Sequence, residues 1–106
     1  LAQSGQAFTC FNNCGTPTVF VDAAQLSGGT GVTGDTLNTA LTPGGFHILE
    51  FRGLNLSAWT VAQLGQSFAG LSGALGDIML YPSTASTEDK DAARQYLADK
   101  YGVTLA

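Results

Sequence analysis

Charge is scarce in this chain. Asp, Glu, Lys and Arg make up 11% of its 106 residues, and four cations stand against eight acids for a net charge of −4. The few Lys and Arg are scattered, so the basic stripe that tracks a phosphate backbone is missing and no nucleic-acid partner is expected. No apolar run approaches the roughly 18 residues of a bilayer-spanning helix. Nor does a charged-then-apolar leader open the chain, so a soluble protein without membrane insertion is expected. Histidine occurs once and cysteine twice. A closed structural zinc site takes four His or Cys ligands and the chain has three, so no metal is expected there, and no C-x-x-C redox spacing occurs. Cys10 and Cys14 flank an Asn-Asn pair suited to a turn. Two antiparallel positions across such a turn can reach a disulfide's Cα separation, so a small staple is one reading and two half-buried thiols the other. A formed disulfide would imply an oxidising compartment or an extracellular surface.

Glycine, by contrast, is abundant at 14 residues, with Ser, Thr, Asn and Gln supplying most of the polarity. Short strands joined by turns suit that mixture better than a coiled coil or a disordered tail. At this length a single domain over residues 1–106 is expected, able to bury roughly two thirds of its unfolded surface. Strands are predicted where β-branched and aromatic residues run between glycine-rich punctuation: 7–11, 18–23, 46–52, 58–65 and 75–81. Residues 25–45 read as a turn-rich stretch with one or two short edge strands, closed by Pro43-Gly44-Gly45. In "FHILEFR" the alternate sets are Phe46, Ile48, Glu50, Arg52 and His47, Leu49, Phe51; in "DIMLY" both faces are apolar. The 75–81 strand is therefore expected to be central, and two-sided burial implies a second layer.

One helix is predicted, after Ser86. Ser86 can cap the first turn, Asp89 can answer it as in a capping box, and Glu88 suits the positive helix end. Ala93, Tyr96, Leu97 and Tyr101 form a narrow apolar stripe, with Lys90, Arg94 and Asp99 facing away. Lys100 sits in the last turn and Gly102 suits a left-handed stop. So short a helix is marginal alone and must dock on the sheet.

The run "GALGDIMLYPSTASTEDKDAARQYLADKYGV" resembles the C-terminal signature of laminin G-like domains in the concanavalin A-like lectin/glucanase superfamily. The matching residues are Gly76, Asp77, Ile78, Tyr81, Ser86, Asp89, Tyr96, Leu97, Lys100, Tyr101 and Gly102. Upstream, "GGFHILEFRGL", "WTVAQLG" and "VFVDA" are similar to strands that precede this ending. The resemblance implies an all-β, antiparallel jelly-roll-type β-sandwich with one C-terminal α-helix. Such sandwiches are much longer than this chain. It would be a half or reduced sandwich, completed by another polypeptide or by a homo-oligomer.

The resemblance further implies a non-catalytic extracellular binding or adhesion module with carbohydrate as ligand. Glucanases of the superfamily set paired carboxylates on one strand, about 5 Å apart for a retaining mechanism. No such run exists here, so no enzyme is expected. Glu50 stands alone on its strand and reads as an ion-pair partner of Arg52; His47 reads as a packed or hydrogen-bonded strand residue rather than a base. Calcium is possible through Asp22 and Asp35, which flank the glycine-rich loop, because laminin G-like domains hold it with loop carboxylates and carbonyls. Trp59, with Asp22 and Asp35, is the candidate ligand-binding set, although Trp59 and Tyr81 at strand spacing also suit a core. A rival expectation is a structural or assembly protein on a viral particle or filament surface, self-associating through its sheet. Low charge and abundant Ser, Thr and Gly suit it.

Overall fold

A computed structural model describes residues 17–26, 34–54 and 74–106, with Gly34 and Asp35 described by backbone only. Its elements are β1 (Thr18–Val21), β2 (Ala24–Gln25), α1 (Gly34–Ala40), β3 (Leu49–Arg52) and α2 (Thr87–Tyr101). The strands form one antiparallel sheet in the order β2-β1-β3. β1 and β2 are joined by the two residues Asp22 and Ala23, both at positive φ, 51° and 70°. Positive φ at both central positions is the hairpin geometry that matches strand twist, ordinarily adopted by Asn-Gly or Asp-Gly. Here alanine stands at the second position, where its Cβ is crowded.

Register sorts the sheet into two faces. Val19 opposes Phe51 and Val21 opposes Leu49, whereas Phe20 opposes Glu50 and Thr18 opposes Arg52. Val19 and Val21 are buried on the first face together with Leu37 of α1, which is fully enclosed. Leu26, Ala40, Leu41, Leu49 and Phe51 pack around them. Leu37, Ala40 and Leu41 recur at the i, i+3, i+4 spacing that lays an apolar stripe on a sheet. The second face carries Phe20, Glu50 and Arg52, and α2 lies over it through Asp91 and Arg94. Among the described residues, then, one helix covers each face of the sheet.

Three expectations are corrected. Residues 34–40, read as turn-rich, form α1 instead. Its glycine and threonine content hid an apolar spacing that burial of Leu37 makes decisive. Residues 75–81, expected as a central strand, join no ladder and are exposed: Leu80 is 84% accessible and Ile78 51%. The helix stripe is also rotated from its expected direction. Tyr96, expected to dock, is 54% exposed, while Arg94, expected to face away, is turned onto the sheet. A guanidinium can dock where a carboxylate and a ring receive it, and Glu50 with Phe20 provides both.

The Ser86 cap and the Gly102 stop of α2 form as the residues predict, while the Asp89 side chain makes no bond back to Ser86 among the described residues. The Ser86 side chain accepts from the Asp89 backbone N–H at 3.1 Å. Gly102 takes φ 67°, and its N–H bonds to the Ala98 carbonyl. The Val103 N–H reaches the same carbonyl at 2.9 Å. Leu97 and Tyr101 are half-buried and Ala98 is buried. The predicted strands at 7–11 and 58–65 lie outside the described residues, and so do Cys10 and Cys14.

Candidate functional site

The β1–β2 turn carries the first side-chain cluster. Asp22 and His47, far apart in sequence, meet because β1 and the approach to β3 run antiparallel. Asp22 N–H donates to the Ile48 carbonyl at 3.0 Å, which extends the ladder by one step. One carboxylate oxygen, Oδ1, accepts the Ile48 N–H at 2.8 Å, and the other, Oδ2, faces His47 Nδ1 at 2.6 Å. The other ring nitrogen, Nε2, lies 2.7 Å from the Thr42 carbonyl and 3.3 Å from the Thr42 hydroxyl. Carboxylate and carbonyl are both acceptors, so His47 satisfies them together only as a doubly protonated imidazolium. The Asp22 hydrogen bond, then the Thr42 carbonyl, raise the His47 pKa above its ordinary value; burial opposes them and the Asp22 charge adds to them.

This geometry decides what the cluster can do. Thr42, His47 and Asp22 superficially share the order of a nucleophile, base and orienting acid. A base, however, needs a free ring lone pair toward its nucleophile, and Nε2 is engaged with the Thr42 carbonyl. The trio is a hydrogen-bonded clasp. It ties the hairpin turn to the segment joining α1 and β3.

The second cluster lies between the sheet and α2. Glu50 Oε2 accepts from Arg52 Nε at 2.6 Å, and Oε1 accepts from Arg94 Nε at 2.8 Å and from Arg94 Nη2. Arg52 Nη2 donates to Asp91 Oδ1 at 2.7 Å, and Arg94 Nη1 lies 3.6 Å from the same oxygen. Two cations and two anions close a neutral ring. Both guanidiniums also lie over Phe20, 5.0 and 5.1 Å from its centroid. The Arg52 hydrogen bond holds the Asp91 carboxyl below its usual range; desolvation opposes it, and the Arg52 and Arg94 charges add to it. The expected Glu50–Arg52 pair is present, but it is part-buried and belongs to a larger network. Its charges are satisfied by one another.

A third feature is apolar. Leu75, Ile78, Met79, Leu80 and Tyr81 are all exposed large hydrophobics, as are Phe46 and Tyr96 elsewhere in the described residues. Residues 76 and 77 are tied to the end of α2. Asp77 pairs with Lys100 at 2.6 Å, and a Cβ at Gly76 would stand 2.7 Å from the Tyr101 hydroxyl. Tyr101 in turn meets Phe46 with ring centroids 4.8 Å apart.

Of the predicted ligand-binding residues, Asp22 is placed at the hairpin turn with both carboxylate oxygens engaged inside the chain. That engagement, rather than an open loop carboxylate, is what the fold makes of it. The Asp35 side chain and Trp59 lie outside the described residues. No group of three or more His, Cys, Asp or Glu residues that could hold a metal ion occurs among the described residues. No helix among them is long and apolar enough to cross a membrane.

Phe20, Thr42, Asp91 and the inward turn of Arg94 are what the sequence did not single out. The alternation of β1 puts Phe20 opposite Glu50, which is a signal for Phe20; the partner of Arg94 required the helix to be placed. Searches against family models, curated proteins and solved structures match nothing to this chain.

Proposed function

We propose that this chain is a non-catalytic structural module that self-associates, with residues 75–81 of one copy meeting another copy of the same chain. The observation that supports it is the run Leu75, Ile78, Met79, Leu80 and Tyr81, exposed and outside any ladder. Large exposed apolar clusters mark interaction surfaces. A segment that joins no ladder and presents apolar side chains is a template for strand addition. The single charge of the segment, Asp77, is already neutralised by Lys100. Identical copies therefore meet without the like-charge repulsion that otherwise opposes self-pairing. The engaged states of Glu50 and His47 support a non-catalytic reading.

The resemblance to laminin G-like domains supports a second reading, a carbohydrate-binding or adhesion module outside the cell with a jelly-roll-type sandwich completed by a partner. Exposed Tyr81 and Tyr96 supply the aromatic faces on which sugars stack. Light scattering over a concentration series distinguishes the two. Self-association that rises with concentration and is abolished by Leu80→Asp supports assembly. A monomer at all concentrations that gives reproducible sugar hits on a glycan array overturns it in favour of the second reading.

A further inference from the structure

We propose that Asp22, His47 and Thr42 form a pH-operated latch that holds the segment between α1 and β3 against the β1–β2 turn. The groups facing the ring are the Asp22 carboxylate from the turn, and the Thr42 carbonyl and hydroxyl from the chain just after α1. Asp22 is the charged one among them. The latch is closed while the ring donates from both nitrogens.

Loss of one proton leaves a single donor for two acceptors. The hydrogen bond to the carboxylate is charge-assisted and the stronger of the two, so Nδ1–H stays on Asp22. Nε2 then turns a lone pair on the Thr42 carbonyl at 2.7 Å, a repulsive contact. The Thr42 hydroxyl, 3.3 Å away, is placed to donate to that lone pair once the carbonyl withdraws. Deprotonation thus exchanges a carbonyl for a hydroxyl and shifts the backbone at Thr42.

The segment it shifts is the short stretch between α1 and β3. Pro43, Gly44 and Gly45 form its turn, with Gly44 at φ 103°. Phe46 follows at once, and its ring rests on Tyr101 of α2. A movement at Thr42 therefore reaches the end of α2 through one ring contact. Asp22 binds other parts of the chain as well, because its carbonyl accepts the Ala106 N–H at 2.8 Å. The turn is a fixed post against which the segment opens.

The test is an imidazole 15N NMR titration of the full chain, followed together with the ring resonances of Phe46 and Tyr101. The latch requires a His47 midpoint above the ordinary value of about 6.5, with the Phe46 and Tyr101 rings moving at the same midpoint. In His47→Gln these ring shifts should flatten across that range. A midpoint at or below about 6.5, or Phe46 and Tyr101 rings that stay still while His47 titrates, overturns it. Should His47→Gln fail to fold, co-titration in the unsubstituted chain decides alone.

Discussion

Replacing Glu50 with alanine removes the carboxylate that joins the sheet to α2. Glu50 accepts from Arg52 through one oxygen and from Arg94 through the other, with its side chain 18% exposed against 20% and 13% for the two arginines. An exposed ion pair contributes about 0.2–1 kcal/mol, whereas removing one partner of a buried pair costs about 3–5 kcal/mol. The network sits between those limits, and Asp91 remains to receive both guanidiniums. A loss of about 2 kcal/mol is expected. With a urea m-value of about 2 kcal/mol per molar, the midpoint of unfolding should fall by about 1 M at unchanged m. Asp91→Ala is the control, because that carboxylate is 53% exposed and bound mainly through one oxygen; its shift should be smaller. The comparison is repeated in 1 M salt, where exposed charges more than about 3 Å apart are screened. Most of the Glu50→Ala loss should survive there. If it vanishes in salt, or never exceeds that of Asp91→Ala, the network is a surface feature and packing at Leu97 and Ala98 holds α2 instead.

Other substitutions probe the remaining contacts. Leu37→Ala removes the fully enclosed side chain of α1 and should cost about 2–5 kcal/mol, measured by urea or thermal unfolding. Leu97 is half-buried, so Leu97→Ala should fall below that range, at about 1–2 kcal/mol by the same measurement. Ala23→Gly relieves a left-handed alanine at φ 70° and should stabilise the chain by about 1 kcal/mol, a rise in unfolding midpoint that its larger unfolded-state entropy only partly offsets. His47 has a raised folded pKa. Its contribution to stability is therefore fully present below about pH 6.5 and is lost as pH rises through the folded value, a dependence that urea midpoints across pH should show and His47→Gln should lack. Gly76→Ala places a methyl against the Tyr101 hydroxyl and should separate residues 76 and 77 from α2, visible as loss of the Asp77–Lys100 pair by NMR.

Local chemistry was legible in the sequence. Ser86 and Gly102 act on backbone groups within one helical turn of themselves, so their residue types are enough to place both ends of α2. The two-residue period of "LEFR" likewise separates Leu49 and Phe51 from Glu50 and Arg52, while which residues of β1 join each set was decided by register. The sequence could also pair Glu50 with Arg52, because residues two apart on a strand share a face. α1 carried a weaker signal. Leu37, Ala40 and Leu41 have helical spacing, but Gly34, Thr36 and Thr39 lower the propensity that would have made it visible.

What tertiary structure decided are the contacts between distant residues. Arg94 looks like a solvent-facing helix position until Glu50 and Phe20 are placed beneath it, since a charged side chain is buried only where a partner waits. Tyr96 loses the docking role for the same reason, because rotating the helix to satisfy Arg94 carries Tyr96 outward. Residues 75–81 have the composition of a strand, yet pairing needs a free edge at the right distance and direction, which composition cannot supply. Asp22 and His47 are ordinary residues apart; antiparallel pairing of β1 and β3 brings them within hydrogen-bond reach and gives the imidazole two acceptors. Sequence alone determined the capped helix and the alternation within β1 and β3, because those depend on neighbours along the chain. The ion network and the His47 clasp depend on neighbours across space, and only the fold could make them.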